Sequence, residues 1–175
     1  SVKKIMKEFG EGGWIAAKFA EKFDGEQLPY LIADCCHFIF CAANYSSTIY
    51  YGLTYKAAKL ITSFGSQEQI DSYVPKMLNG EWQGTMALTE PDAGSSLGDI
   101  VTTATPTDDG YYKMQGRKIF ISAGDHDGVD NVVQMTLAKI DGAPAGVRGI
   151  SMFIVPNKRI AENGALESND VVISQ

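Results

Sequence analysis

Hydroxyl groups follow the first of two strand-like segments in this sequence, in a turn whose composition fits anion binding. The segment covers 82–89, and the turn after it, 90–96, contains a proline, a glycine and the neighbouring Ser95 and Ser96. Pro91 fixes its own φ and biases the preceding residue towards extended backbone, so the strand is predicted to stop there. Successive backbone amides beside free hydroxyl groups form a plausible nest for a phosphate or another anion.

The second strand-like segment, 117–122, adds an aromatic ring to a similar end. Phe120 and Ser122 are two positions apart, which puts both side chains on one face of a strand, and Thr89 supplies a hydroxyl to the end of the first segment. A flat aromatic ring beside a hydroxyl group suits a planar heteroaromatic ligand. The same residues also fit a surface turn and an ordinary buried Phe. Spacing alone favours that simpler interpretation, because short motifs often match by chance.

The sequence from residue 82 onward has the pattern of short strands separated by turns. Tight-turn dipeptides stand at Asp109-Gly110, Asp141-Gly142 and Asn163-Gly164, and the first of them predicts a hairpin. Regular short strands of this kind indicate an antiparallel β-barrel or sandwich. The predicted strands are 82–89, 99–105, 111–115, 117–122, 131–140, 149–156 and 170–174.

Two helices are predicted upstream of these strands. Residues 30–43 are apolar on nearly every side, which indicates a buried helix, and Pro29 is well placed to open it. Residues 46–64 carry an apolar stripe along one face, and Gly65 ends the pattern.

A third helix and the division of the chain follow from the next residues. Ser66 begins a capping-box pattern, and Pro75 is predicted to break or kink the helix near Tyr73. Residues 15–23 form a further short candidate helix after a glycine-rich turn. The pattern therefore predicts an α+β fold, with a helical domain at 1–80 and a β-domain at 81–175.

Composition narrows the range of functions. The formal net charge of −6 and the lack of a clustered basic stripe argue against a nucleic-acid binder. No apolar run reaches transmembrane length, and the first residues do not have the pattern of a signal peptide. Cys35, Cys36 and Cys41 lie in one apolar segment without CxxC spacing, so they are predicted to be reduced, buried thiols of a cytoplasmic protein.

Two motifs at a fixed separation resemble the acyl-CoA dehydrogenase flavoprotein family. The first is Leu-Thr-Glu-Pro-Asp-Ala-Gly-Ser at 88–95, and the second is Gly-Arg-Lys-Ile-Phe-Ile-Ser at 116–122. The further runs Ser-Ala-Gly-Asp-His-Asp at 122–127 and Ala-Pro-Ala-Gly-Val-Arg-Gly-Ile-Ser at 143–151 are similar to the branch that contains methylmercaptopropionyl-CoA dehydrogenases. The resemblance is strong over 65–156 and weaker before residue 52.

The resemblance implies that FAD binds against the β-domain and assigns a role to each motif residue. Family positions place Ser95 at the pyrophosphate and near the acyl-CoA substrate, Thr89 at the flavin N1/O2 edge, and Ser122 at flavin N5. Phe120 stands where the family often has Trp, against the isoalloxazine face. The cofactor-binding residues implied in this way are Met86, Leu88, Thr89, Ser95, Phe120 and Ser122.

The resemblance also implies a reaction and its partners. In the family a carboxylate base removes the α-proton of an acyl-CoA thioester, the β-hydride passes to flavin N5, and a trans-2-enoyl-CoA forms. Electrons then leave to an electron-transfer flavoprotein, and the full-length enzymes are homo-oligomers. The family base is a Glu in a C-terminal helical domain beyond Gln175. The chain is therefore expected to be an inactive fragment that lacks this domain, and Ser96 in place of the usual Asp is expected to alter the local loop.

Several other residues have simpler explanations. Adjacent residues cannot all converge on one ion, so Asp125-His126-Asp127 is predicted to be a polar turn that shapes the flavin or acyl pocket, with no metal site. Glu90 is predicted to hold its loop through backbone hydrogen bonds, and His37 to be a hydrogen-bonded core residue. Four tyrosines are predicted to be packing residues. They are Tyr45, Tyr50, Tyr51 and Tyr55.

Two alternatives to a dehydrogenase fragment remain. A non-catalytic relative that keeps FAD would carry the same motifs. A flavin-free interaction module is favoured if Thr89, Ser95 and Ser122 are buried against protein.

Overall fold

A computed structural model describes residues 1–173 of the chain, with a helical part followed by a sheet. The α+β fold class is therefore confirmed. The α-helices are α1 Val2–Glu11, α2 Tyr30–Phe64 and α3 Gln67–Leu78. The strands are β1 Trp82–Ala87, β2 Thr103–Pro106, β3 Tyr112–Gln115, β4 Asn131–Ile140, β5 Ile150–Pro156, β6 Lys158–Ile160 and β7 Leu166–Ser168.

The residues after helix α1 do not form the short helix predicted at 15–23. Only Glu21–Phe23 of that range forms a helical turn, of the 3₁₀ type. The chain instead bends through turns that bury Ile15 and Phe19, and Asp24 ends the 3₁₀ turn in a left-handed conformation at φ 56°. Hydrogen bonds of the turns, such as that from the Phe19 amide to the Ala16 carbonyl at 2.8 Å, thus replace helical ones.

Helix α2 contains both predicted helices, 30–43 and 46–64, joined at a kink. Asn44 has non-helical φ/ψ of −162° and 94°, and its Oδ1 accepts a hydrogen bond from the Ser47 amide at 3.2 Å. That contact caps the second half of α2 in the manner of a helix N-terminus. Pro29 is the N-cap residue of the first half, so it lies one position before the first helical residue, where a proline is most favoured.

The first half of α2 is not buried, contrary to the prediction. Three apolar side chains on it, Leu31, Phe38 and Ile39, are 74%, 73% and 63% exposed. The cysteines of the same half are also not buried, since Cys35 is exposed and Cys36 and Cys41 are partly exposed, although all three thiols are free as predicted. An apolar pattern shows that a helix favours burial, but it does not show which part of a protein covers it.

Helix α3 starts with the predicted capping box and passes through Pro75 without a break. Ser66 Oγ accepts from the Gln69 amide at 3.2 Å, and Gln69 Oε1 accepts from the Ser66 amide at 2.9 Å. Of the predicted break or kink near Tyr73, the break is wrong, because α3 continues to Leu78. Burial of residues on both sides of Pro75, notably Val74 and Met77, offsets the hydrogen bond that proline removes.

The main sheet is mixed, which corrects the prediction of an antiparallel one. β1 pairs in parallel with β4, from Trp82 opposite Asn131, and β2 pairs in parallel with the end of β4. The β2–β3 hairpin and the β4–β5 pair are antiparallel. Turn dipeptides identify local hairpins, but they carry no information on how strands far apart in sequence pair.

Two predicted strands are wrong. Residues 117–122 form no strand, and neither do 170–173, while Ser174 lies outside the described residues. The strands of the short β6–β7 hairpin were not predicted. Its turn at Asn163-Gly164 was predicted, and Gly164 there has the positive φ, 80°, that such a turn needs.

Helix α2 packs directly on β1, and a glycine allows the close approach. A Cβ on Gly84 would lie 2.5 Å from the Ala57 Cβ, closer than packed carbons come. The Gly84 amide donates to Thr54 Oγ1 at 3.1 Å, so a helix side chain satisfies a strand amide. This contact fixes the second half of α2 above the start of the sheet.

Candidate functional site

Glu90 connects the turn after β1 to two other segments. Its side chain is 3% exposed, and its carboxylate accepts from the amides of Val101 at 2.6 Å and Thr102 at 3.1 Å. Lys118 Nζ donates to the same carboxylate at 2.7 Å. The prediction that Glu90 holds the loop through backbone hydrogen bonds is confirmed.

The environment of Glu90 makes it a poor proton acceptor. Burial alone would raise the pKa of this carboxyl, but hydrogen bonds from Lys118, Thr102 and two backbone amides lower the pKa to about 2. A carboxylate with so low a pKa stays ionised at neutral pH and takes up a proton only weakly. Glu90 is therefore a structural anchor.

The two sequence motifs lie side by side. The Ile119 amide donates to the Thr89 carbonyl at 2.9 Å, and Lys118 Nζ donates to the Leu88 carbonyl at 3.1 Å. These contacts bring 116–119 alongside 88–90, although neither stretch belongs to a strand. The pairing of the motifs thus depends on one amide and one lysine.

Side chains of β1 hold the residues that follow Phe120. Thr85 Oγ1 donates to the Ser122 carbonyl at 2.6 Å, and Gln83 Nε2 donates to the Ala123 carbonyl at 2.9 Å. Phe120 and Ala123 have left-handed φ values of 57° and 53°. The predicted placement of Phe120 and Ser122 on one face of a strand is therefore wrong, because the left-handed conformations of Phe120 and Ala123 interrupt the extended backbone that a strand requires.

The predicted ligand-contacting side chains are accessible. Ser95 and Ser122 are exposed, and Phe120 is 90% exposed, which rules out the ordinary buried Phe of the simpler interpretation. The other three, Met86, Leu88 and Thr89, are half-buried. The condition for a flavin-free interaction module, burial of the three hydroxyl residues against protein, is not met.

The turn at 125–127 contains a histidine with defined hydrogen bonds. The Gly128 amide donates to His126 Nδ1 at 3.1 Å, and His126 Nε2 lies 2.6 Å from Gln83 Oε1. Burial lowers the pKa of His126, and the neighbouring Asp125 and Asp127 partly offset this. Within 1–173, no group of three or more acidic, His or Cys side chains is placed to hold a metal ion.

A cavity of about 530 Å³ lies against both halves of α2 and reaches Ser122. Ser122 is the one predicted site residue in its wall. Two residues of the apolar stripe predicted for 46–64, Ile49 and Leu53, lie in its wall, so the sequence indicated part of this face and not the space beside it. The α2 residues of this lining are Ala33, Asp34, His37, Phe40, Tyr45, Thr48, Ile49, Tyr51, Gly52, Leu53, Tyr55 and Lys56.

An ion pair forms another part of the cavity wall. Lys18 Nζ lies 2.6 Å from Asp34 Oδ1, and Lys18 is only 17% exposed. Its ammonium group also lies 5.1 Å and 4.7 Å from the ring centres of Tyr30 and Tyr55. Burial and a hydrogen bond to Tyr30 raise the pKa of Tyr55 to about 12, so its hydroxyl stays protonated.

His37 also lines the cavity, and its prediction is half right. It is hydrogen-bonded, with Nδ1 2.5 Å from the Tyr51 hydroxyl and Nε2 3.4 Å from Cys41 Sγ, but it is exposed and not a core residue. Burial raises the pKa of Tyr51, with Cys41 and Cys36 adding to the shift.

Comparison with known proteins identifies the family that this fold and these motifs define. The model for the acyl-CoA dehydrogenase N-terminal domain matches residues 1–81, and the model for the acyl-CoA dehydrogenase middle domain matches residues 85–166. The chain belongs to the acyl-CoA dehydrogenase family.

Individual relatives agree with this assignment. A 3-methylmercaptopropionyl-CoA dehydrogenase of Ruegeria pomeroyi is 38% identical over 93% of this chain and 28% of its own length. A butyryl-CoA dehydrogenase of Syntrophomonas wolfei is 43% identical over 74% of this chain and 22% of its own. The crystal structure of a Bacillus anthracis acyl-CoA dehydrogenase complexed with FAD has a TM-score of 0.74 at 30% identity, covering 89% of this chain and 26% of that one. The chain thus spans about a quarter of the length of each of these two relatives.

No helix within the described part of the chain has both the length and the apolar character needed to cross a bilayer.

Proposed function

We propose that this chain forms the flavin-contacting and acyl-contacting part of an FAD-dependent dehydrogenase that converts an acyl-CoA thioester to a trans-2-enoyl-CoA. The observation that carries the proposal is the position of Ser122. Its exposed side chain follows the second motif and also lines the 530 Å³ cavity. One residue therefore borders both the surface suited to a cofactor and the space suited to a substrate.

The accessible motif residues fit FAD in type and exposure. An exposed Phe120 ring offers an apolar face to a flat ring system, and the hydroxyl groups of Thr89 and Ser122 can donate to flavin edge atoms. Ser95 lies in the turn anchored by Glu90, where hydroxyl and amide donors suit a pyrophosphate. When bound, FAD supplies the acceptor for the substrate β-hydride. Met86 and Leu88 complete the proposed set from β1 and the residues just after it.

The cavity beside α2 is proposed to receive the acyl chain. Its lining is largely apolar along α2, and its opening to Ser122 would bring the substrate α- and β-carbons next to the flavin. The Lys18–Asp34 ion pair adds a polar patch to the wall. Short acyl groups, or groups with a polar atom, fit such a wall better than long alkyl chains.

The remaining parts of the proposal concern the whole protein. Because Glu90 has a pKa of about 2, it is unsuited to remove an α-proton, so the base is proposed to come from residues outside this chain, which alone would be inactive. The helical part is proposed to be a domain at 1–80 and the sheet a domain at 81–175. The full protein is proposed to be a cytoplasmic homo-oligomer that passes electrons to an electron-transfer flavoprotein, and the three free thiols suit a reducing compartment.

A matched pair of serine variants tests the flavin site. In the protein at its natural length, Ser95→Ala is expected to weaken FAD binding by about tenfold, the effect of one lost hydrogen bond to a charged group. Ser96→Ala is the control, because Ser96 Oγ instead donates to Asp99 at 2.6 Å. FAD affinity is measured by fluorescence quenching, and reduction by bleaching of the flavin absorbance with acyl-CoA. The absence of FAD binding by the unmodified protein would refute the proposal and favour an interaction module.

A further inference from the structure

A chain of hydrogen bonds runs from His126 to the peptide between Ala123 and Gly124, next to Ser122. His126 Nε2 is 2.6 Å from Gln83 Oε1, and Gln83 Nε2 donates to the Ala123 carbonyl at 2.9 Å. Gln83 has no exposed surface. A buried amide that loses either partner is left with an unsatisfied polar atom, so both ends of this chain are constrained.

The partners of His126 define its protonation. The Gly128 amide can only donate, so Nδ1, at 3.1 Å, carries a lone pair, and the proton lies on Nε2. Nε2–H then donates to Gln83 Oε1, which leaves the Gln83 NH₂ group facing Ala123. The neutral Nε2–H form of His126 thus fixes which way round the Gln83 amide lies.

The Ala123 carbonyl is a sensitive point, because Ala123 adopts a φ of 53°. A left-handed conformation is unfavourable for a non-glycine residue, so it persists only where neighbouring contacts enforce it. Gln83 supplies one contact at the Ala123 carbonyl, and Thr85 supplies a second at the Ser122 carbonyl, at 2.6 Å. Together they set the two peptides on either side of Ala123, Ser122–Ala123 and Ala123–Gly124.

We propose that His126 is a positioning residue for Ser122, acting through the Gln83 amide on the Ala123 peptide. The structural part of this inference stands on the hydrogen bonds alone. Its consequence, a correctly aimed Ser122 hydroxyl at the flavin, rests on the proposed function.

Two isosteric variants separate the roles of the imidazole nitrogens. His126→Gln can place an N–H donor near the position of Nε2, and His126→Asn can place only an acceptor near that of Nδ1. The readout in the chain is the carbonyl ¹³C shift of Ala123 and the side-chain ¹⁵N shift of Gln83, with the ¹⁵N shifts of His126 reporting its tautomer. We expect the Gln variant to keep the Ala123 carbonyl shift of the unmodified chain. We expect the Asn variant to change that shift.

A titration of the unmodified chain supplies a test that needs no variant. Protonation of His126 keeps Nε2–H but puts a hydrogen on Nδ1 against the Gly128 amide, so the ring must move, its contact with Gln83 changes, and the Ala123 carbonyl shift should follow the His126 titration. The charged groups beside His126 are Asp125 and Asp127, and the Tyr50 ring packs edge-on at 5.5 Å. Asp125→Asn should move the midpoint down without abolishing the coupling, because that carboxylate raises the His126 pKa.

The outcomes distinguish this inference from the proposed function. In the protein at its natural length, His126→Asn should lower FAD affinity by about tenfold, and His126→Gln should keep it within about twofold. If the unmodified protein binds no FAD but the Asn variant still shifts Ala123, the proposed function fails and the positioning role stands. The inference would be overturned if the Asn variant kept the Ala123 shift and the FAD affinity of the unmodified protein. It would also be overturned if the titration of His126 had no effect on the Ala123 shift.

Discussion

At the scale of single residues, the site depends on polar side chains that satisfy backbone groups of distant segments. Glu90 joins the first motif to 101–102, and Lys118 joins it to the second. Neither side chain is placed to contact a ligand through the atoms that make these bonds. Both are recognisable in the sequence only as members of a motif, since hydrogen-bond partners 11 and 28 positions away leave no local pattern.

The low pKa of Glu90 predicts how stability depends on pH. The pKa of Glu90 is about 2 in the folded chain, against an ordinary value of 4.5 for a free Glu side chain, so its ionised form stabilises the fold. This contribution is complete above pH 4.5 and is lost as pH falls towards 2. The shift corresponds to about 3 kcal/mol. In urea unfolding, the stability difference between the unmodified chain and Glu90→Gln should shrink by that order over this range.

A control for this prediction is an exposed carboxyl variant, Asp108→Asn, which should leave the pH dependence almost unchanged. A constant stability difference between the unmodified chain and Glu90→Gln from pH 5 to 2.5 would contradict the role assigned to this carboxylate.

At the scale of elements, α2 and β1 pack closely at Gly84. Gly84→Ala would place a methyl group 2.5 Å from Ala57 Cβ and 2.7 Å from Met77 Cε, so α2 must move away from the strand. Overpacking of this kind costs about 1–3 kcal/mol. The unfolding free energy in urea should fall accordingly.

Gly52→Ala is the matched control on the same helix. A Cβ at Gly52 meets no atom within 4 Å, and the position is helical. Replacing a helical glycine by alanine should stabilise the chain by roughly 0.5–1 kcal/mol. Equal effects of the two substitutions would show that α2 does not lie on β1 as described.

The sequence predicted elements where the cause is local. The capping box at Ser66, the division of α2 into segments 30–43 and 46–64 and the β2–β3 hairpin all follow from residues within a few positions. The parallel pairing of β1 with β4 and the irregular backbone at Phe120 depend on distant contacts, so periodicity could not predict them. The motif residues were found because of their resemblance to a family, whereas the cavity wall appeared only once α2 was placed.

At the scale of the whole molecule, the helical part and the motif segments share one cavity. Gly52 opens into it without meeting another atom, so a large side chain there should fill the proposed acyl space. In the protein at its natural length, Gly52→Leu is expected to raise the KM for acyl-CoA by at least about tenfold, with FAD affinity unchanged.

Lys59→Leu provides the comparison, because Lys59 is exposed on the same helix and is absent from the cavity lining. If Gly52→Leu left the KM for every acyl-CoA tested at its original value, the acyl chain would have to bind elsewhere.

The parallel pairing of β1 with β4 also has a consequence for the order of folding. About fifty residues separate Trp82 from its partner Asn131, so closing that loop costs entropy before any pairing is gained. Helices α2 and α3, adjacent in sequence, can associate much earlier. During synthesis, β1 is therefore expected to pack on the helical layer first, and the edge that pairs with β4 stays open until β4 leaves the ribosome. Pulse-labelled amide exchange during refolding should show protection of α2 and α3 before that of β1.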